Sequence, residues 1–338
     1  MGTRRNFLTG AVSLGAATAA FPAVIAPARA ATPVTFTTPF GFDPTFIDIM
    51  NAASGGHFAA AGLAAKIVGP PGTSQAFQLV LAGEAQFGLV AGIDFIRIVG
   101  AKGAPLVAIA TIGQKSGFHL VSLKERPVRS GADLRGKTVG VLSIGGLTET
   151  MVDILLATAG VPKGAAKVVV AGNSPGEVEL IRQGRIDCFL CNFPVTFTLQ
   201  KLGAPVEYLS IDTAVPAPGQ LYYTTRAIAA NNPALVTAVL RALRASVLEI
   251  MSAPLAPIYR RAAKDFEIPR SKDLDTLAAL QQAIIAQLWL SAGKENLLRN
   301  VPATWQSGVE SLRRVGVADV KDATTLYTNS FLDTVMKG

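Results

Sequence analysis

Residues 79–112 read LVLAGEAQFGLVAGIDFIRIVGAKGAPLVAIATI. The pattern predicts the end of a helix, a short strand over 86–90, a glycine-bearing turn over 91–94, a second helix, and a buried strand over 106–112. Runs of Val, Ile and Phe bounded by Gly and Pro specify the strands, and the recurrence of Ile93, Ile96, Arg97 and Gly100 suits a short helix between them. In open parallel sheets, ligands settle beyond the carboxyl ends of strands, where short loops feed helix starts with free backbone N–H groups. Residues 92–95 are expected at such a place.

Outward from this stretch the alternation of strand and helix continues. Upstream, residues 34–38 alternate like a first strand and residues 39–42 turn. Asp43 is placed to cap a helix with Pro44 at its first position and Phe46, Ile47, Ile49 and Met50 on its apolar face. Residues 66–68 make a second strand, residues 69–72 a stiff Gly-Pro-Pro-Gly turn, and Thr73 or Ser74 starts a helix with Ala76, Phe77, Val80 and Leu81 inward. Strand, loop and helix in repetition are the pattern of a parallel α/β sheet.

Downstream, residues 116–122 are expected to cross into a second lobe. That lobe is expected to hold strands at 138–142, 167–170, 186–191 and 206–210, and helices at 150–159, 177–183 and near 195–202. Residues 220–225 read as a strand returning to the first lobe. From Asn231 the chain is helical, with apolar-periodic segments around 235–251, 274–290, 305–315 and 326–336. The fold class expected is α/β, two lobes joined by two crossover strands around a central ligand cleft, the shape of a clamshell. Lobe 1 is assigned 31–116 and 225–338, and lobe 2 is assigned 117–224.

Half of the 338 residues are apolar and 16% are charged, which describes a globular chain able to bury a large core. The first thirty carry an export pattern: the twin-arginine opening Thr3-Arg4-Arg5-Asn6-Phe7-Leu8, an apolar Ala-rich run broken by Pro22, and the small-x-small ending Ala28-Arg29-Ala30. Cleavage before Ala31 is expected, leaving a soluble periplasmic protein whose formal charge falls from +8 to +5 as Arg4, Arg5 and Arg29 depart. The remaining Lys and Arg are dispersed without aromatic stacking partners, so no nucleic-acid surface is expected.

Cys188 and Cys191 form C-x-x-C, yet they lie on an expected strand. Residues three apart on a strand point to opposite faces with Cα atoms about 10 Å apart, beyond disulfide reach. Two small core residues are expected rather than a redox pair. Gly131-Ala132-Asp133-Leu134-Arg135-Gly136-Lys137-Thr138 matches a phosphate-loop pattern, but the strand follows it instead of preceding it, and Asp133 sits where a phosphate would. Gly172-Asn173-Ser174-Pro175-Gly176 matches a nucleophile elbow, but Pro175 has no N–H for an oxyanion and no His follows Ser174. Ser174 with Glu177 suits a capping box instead. His57 and His119, the two histidines, have no metal-ligand spacing, and no carboxylate pair stands out as an acid/base couple. Neither a metal, a cofactor nor an enzymatic activity is expected.

Four segments, Gly83-Glu84-Ala85-Gln86-Phe87-Gly88, residues 133–141 (DLRGKTVGV), residues 181–187 (IRQGRID) and Asn232-Pro233-Ala234-Leu235-Val236, resemble in order and spacing the periplasmic solute-binding proteins of ABC transporters. The branch handles nitrate, alkanesulfonates, taurine and thiamine pyrimidine precursors, and includes the eukaryotic pyrimidine-precursor synthases. The resemblance implies a type II periplasmic binding protein fold, a monomer, and a small molecule held between the lobes for an inner-membrane permease. It places ligand loops on residues 40–43, with Phe40, Phe42 and Asp43, on 72–75, with Thr73, Ser74 and Gln75, on Gly92, Ile93 and Asp94, on 145–149, with Thr148 and Glu149, and on Asn192.

Side-chain chemistry agrees with these places. Thr73, Ser74, Gln75, Thr148 and Asn192 are uncharged hydrogen-bonding residues near expected strand ends or helix starts, and Phe40, Phe42 and Phe118 suit a flat ligand. Plain structural jobs stand beside each: Asp43, Asp94 and Thr148 as caps, and Phe42 as core. The candidate loops carry Asp43, Asp94 and Glu149 without Arg or Lys, which favours an uncharged or amino-bearing ligand, although backbone N–H groups can hold an anion unaided. The other function weighed is an enzyme like the synthases. In those relatives the loop after the Phe87 strand presents a lysine and a histidine, whereas Val90 and Asp94 stand here, and the returning strand has no cysteine.

Overall fold

The computed structural model describes Gly2 and residues 30–337. The export segment expected over residues 1–30 lies outside the described residues, apart from Gly2 and Ala30. Residues 31–338 form one compact unit. Its strands are β1 (Thr32–Thr37), β2 (Leu63–Val68), β3 (Phe87–Ala91), β4 (Leu106–Gly113), β5 (His119–Leu123), β6 (Thr138–Val141), β7 (Lys167–Val170), β8 (Cys188–Cys191), β9 (Val206–Ser210) and β10 (Gln220–Thr225).

They make two five-stranded sheets, ordered β2-β1-β3-β10-β4 and β7-β6-β8-β5-β9. The two orders are the same in kind: second strand, first, third, a strand arriving from elsewhere in the chain, then the fourth. In each sheet the arriving strand, β10 or β5, runs antiparallel to both neighbours, while β1, β2 and β3, and likewise β6, β7 and β8, pair in parallel. The expected parallel sheets are therefore mixed. The chain passes between the sheets twice, from β4 to β5 and from β9 to β10, and enters each from the opposite end.

Local chemistry explains the elements. β4 is buried at all eight positions, the reading of an unbroken Leu, Val, Ala and Ile run covered on both faces. On β10, Tyr222 faces one apolar cluster with Phe36, Phe87 and Leu243. Its neighbours Leu221 and Tyr223 face a second cluster, the period-2 alternation of a strand. That second cluster joins the sheets, since it takes Leu106 and Ala108 from the first and Leu120, Val139 and Leu190 from the other. A third backs the far face of the second sheet.

Cys188 and Leu190 belong to the joining cluster, and Phe189 and Cys191 to the third. The two thiols thus lie on opposite faces of β8, both free and buried. Burial pushes the Cys188 thiol up to about 12 and Cys191 higher still, so neither is a reactive thiolate.

Some boundaries move from those expected. No separate turn occupies 91–94: the chain passes from β3 straight into helix Gly92–Lys102, and the Gly92 N–H donates to the Gly219 carbonyl at 2.8 Å. The helix expected from 150 begins at Leu147, with extended Gly146 before it, which puts Thr148 and Glu149 in its first turn. Strand β2 is twice as long as Lys66, Ile67 and Val68 alone.

Candidate cleft between the sheets

The cleft forms where loops leaving both sheets meet the starts of several helices. Its narrow end, a cavity of about 60 Å³, is walled by Phe40, Phe118, Asn192, Phe193, Leu288 and Trp289. A wider part of about 410 Å³ adjoins it, lined by Ser74, Gln75, Asp94, Arg97, Ser143 and Thr148. Phe40, Thr73, Phe118 and Leu147 border both. One space therefore draws on the first half through Phe40 and Thr73 and on the second through Leu147 and Asn192.

Eight of the residues singled out in the sequence come together here: Phe40, Thr73, Ser74, Gln75, Asp94, Phe118, Thr148 and Asn192. Five are held elsewhere. The ring of Phe42 packs against Phe266 with centroids 5.0 Å apart. Asp43 caps the short turn Pro44–Phe46, accepting from the Thr45 N–H at 2.9 Å and its hydroxyl at 2.7 Å, and lines a further hollow of about 140 Å³ that shares Asn192 and Pro194 with the narrow end. Gly92 and Ile93 are buried and line neither part of the cleft, and the Glu149 carboxylate folds back onto the Gly145 N–H.

The polar residues have local tasks. Asp94 is 1% exposed. Burial pushes its carboxyl up, opposed by the charge and hydrogen bond of Arg97, whose Nη2 lies 2.9 Å from Oδ1. Thr148 accepts from the Leu142 N–H through its hydroxyl at 3.1 Å, pinning the end of β6 to the helix that follows. Asn192, 8% exposed, precedes helix Phe193–Lys201. Its N–H donates to Asn173 Oδ1 at 3.1 Å, and its own Oδ1 is buried with no partner.

The two crossings are tied together beside the cleft. The Ser116 N–H donates to Asp212 Oδ1 at 3.1 Å, Gly219 N–H to the Gly113 carbonyl at 2.7 Å, and Ile211 N–H to the Phe118 carbonyl at 3.1 Å. Burial raises Asp212 to about 6, opposed by the Ser116 N–H, by Lys115 and by Ser210.

The charge expectation is corrected by residues the sequence reading left out. Arg97 and Lys115 line the cleft, and Asp94 is the carboxylate among its lining side chains. Arg97 was legible as the i+3 partner of Asp94. Trp289 and Leu288 come from the far C-terminal helical region, which no local signal connects to the cleft.

The motifs set aside have ordinary roles. Asp133 accepts from the backbone N–H groups of Arg129 and Ser130, and a Cβ on Gly131 would meet the Leu155 carbonyl oxygen at 1.7 Å, leaving no phosphate cradle there. The capping box expected of Ser174 and Glu177 does not form: helix Glu177–Arg182 starts after Gly176 without a side-chain cap, the Ser174 N–H and hydroxyl both donate to Glu177 Oε2 at 2.8 and 2.6 Å, and the hydroxyl accepts from the Gly176 N–H. His57 pairs with Glu249 at 2.6 Å outside the cleft. Among the described residues no cluster of His, Cys, Asp and Glu is arranged for a metal ion, and no helix is long and apolar enough to cross a membrane.

Residues 43–256, more than half of the chain, match the family described as NMT1/THI5 like. The chain belongs to this family. No curated protein matches it. Solved structures similar to it include a protein of Bordetella bronchiseptica RB50, 21% identical over 90% of this chain and 97% of that one, with a TM-score of 0.67. The alkanesulfonate-binding protein SsuA of Xanthomonas axonopodis pv. citri, bound to MOPS, is 13% identical over 89% and 100%, at 0.62. The periplasmic nitrate-binding protein NrtA of Synechocystis PCC 6803 is 11% identical over 90% and 88%, at 0.64. At such identities the likeness is one of fold, and this NMT1/THI5-like chain has the type II periplasmic binding protein fold.

Proposed function

We propose that the chain is an exported solute-binding protein that captures a small organic molecule in the cleft and delivers it to an ABC transporter permease. The observation that carries this is the cleft itself, bordered from both sheets and lined by helix starts, aromatic rings and a few polar groups, the composition of a small-molecule site. The binding roles of the alkanesulfonate and nitrate proteins that share the fold support it. Arg4-Arg5 and Ala28-Arg29-Ala30 support export by the twin-arginine route to the periplasm, with the mature protein acting as a monomer. The halves proposed to close on the solute about the tied segments at Ser116 and Asp212 are 31–116 with 225–338 and 117–224, with β10 moved to the first half because it pairs within the first sheet.

A binding role is favoured over catalysis because the cleft offers no paired nucleophile and base. Thr148 is engaged by the Leu142 N–H and Asp94 by Arg97. The test is a thermal-shift panel of sulfonates, nitrate, pyrimidines, amines and aromatic acids. A solute at a hundred times its dissociation constant adds about 2.7 kcal/mol of stability if it binds the folded form alone. A flat response to every class, with turnover of any member, overturns the proposal in favour of an enzyme.

A further inference from the structure

We infer that the solute is a single-ring aromatic acid carrying a hydrogen-bond donor remote from its acid group, an inference that rests on the solute-binding reading above. Three features of the cleft each specify one part of such a molecule.

The acid belongs in the wide part. Helix Thr73–Leu81 begins after Gly72 and helix Leu147–Thr158 after Gly146, and neither start has a side-chain cap. The first N–H groups of each helix have no acceptor inside it, and Thr73, Ser74, Leu147 and Thr148 all border this one space. Two bare helix starts, one from each half, converge there with their positive dipole ends. The charged side chains of this part, Arg97 and Asp94, pair with each other at 2.9 Å and leave its sign to the helix starts, while Lys115 borders the narrow end.

The ring belongs between Phe40 and Phe118, which border both parts, and its far edge belongs at Phe193, Leu288 and Trp289. The narrow end holds about 60 Å³. At roughly 10–15 Å³ for each water on that measure, this is the bulk of about one six-membered ring.

The donor is specified independently of the helix starts. Asn192 is 8% exposed, borders both the narrow end and the hollow beside Asp43, and has a buried Oδ1 that nothing in the protein satisfies. Buried acceptors are almost always paired, and here the bound solute is the missing donor. Because Oδ1 does not cap its helix, removing it costs no bond within the protein.

The test is isothermal titration of the full chain with 4-hydroxybenzoate, benzoate, 4-hydroxybenzamide, cyclohexanecarboxylate, nitrate and methanesulfonate, repeated on Asn192→Ala. The expected order places 4-hydroxybenzoate tightest and its uncharged amide at least about tenfold weaker, because the amide loses the charge-assisted contacts. Benzoate is also expected about tenfold weaker, for want of the donor to Asn192. Asn192→Ala brings 4-hydroxybenzoate down to the benzoate level and leaves benzoate within about twofold, which also shows that the variant is folded. Equal binding of acid and amide, or an equal loss of both acids in the variant, overturns the inference. If only nitrate or methanesulfonate binds, the aromatic acid is wrong and the solute-binding reading stands. If nothing in this set or the wider panel binds, both fail.

Discussion

Asp48 and Glu249 show how burial and hydrogen bonding push two carboxylates in opposite directions. Asp48 is 1% exposed and accepts from the Tyr222 hydroxyl. Burial raises it from 3.8 to about 6, and the hydrogen bonds from Tyr222 and nearby backbone only moderate the rise. Burial also pushes Glu249 up, but donors from Arg261, Asn51 and His57 outweigh it and bring the carboxyl down to about 2. The signs differ accordingly. The contribution of Glu249 is present above its unfolded value of 4.5 and is lost as pH falls toward 2. A raised carboxyl such as Asp48 binds its proton more tightly when folded, so its contribution is full below pH 3.8 and is lost as pH rises through 6. Asp48→Asn is therefore expected to gain on the natural protein between pH 4.5 and 8, by up to about 3 kcal/mol in urea unfolding. Parallel pH profiles for the two proteins would contradict this account. At the same scale, the charge of the cleft was misjudged from sequence. Asp94 was visible and so was Arg97 a turn later, but whether a guanidinium turns back over its neighbour depends on packing that spacing does not specify.

Strands and helices were mostly legible, because each announces itself by local period. What escaped was how they join. The 91–94 segment reads as a turn on composition, but the structure needs no turn there, because Gly92 begins a helix pressed against the backbone of the returning chain. A Cβ at Gly92 would meet the Pro218 carbonyl oxygen at 2.1 Å, while the Gly92 N–H holds Gly219. Gly92→Ala must therefore displace the segment that leads into β10. We expect it to cost about 1–3 kcal/mol in urea unfolding, the usual range for overpacking a tight site. Gly72→Ala is the matched control, since its backbone is extended and nothing lies within 4 Å of the added methyl. It should change stability by under about 0.5 kcal/mol. If both variants melt alike, the contact at Pro218 is not what fixes the start of this helix. The direction of β5 and β10 was hidden for a related reason: strand pairing is settled by distant partners, not by the strand's own residues.

At the level of the molecule, two sheets of the same order are linked by a shared apolar core, and that core decides how the protein unfolds. The joining cluster takes Leu106 and Tyr223 from one sheet and Leu120, Val139 and Leu190 from the other, with Trp305, Val309 and Leu312 of helix Pro302–Arg314. Separating the halves would expose those members of the cluster that face the other sheet. Burying each large apolar side chain is worth about 1.5–3 kcal/mol, so a state with one half folded and the other unfolded forfeits many kcal/mol without regaining the full chain entropy. Unfolding should thus be one cooperative event despite the discontinuous halves. Of the two tryptophans, Trp305 lies in the joining cluster and Trp289 borders the cleft, so fluorescence reports on the junction of the halves, whereas far-ultraviolet circular dichroism reports on the whole chain. The two signals are expected to give coincident urea transitions. A fluorescence transition well separated from the dichroism transition would mean that the joining cluster does not couple the halves.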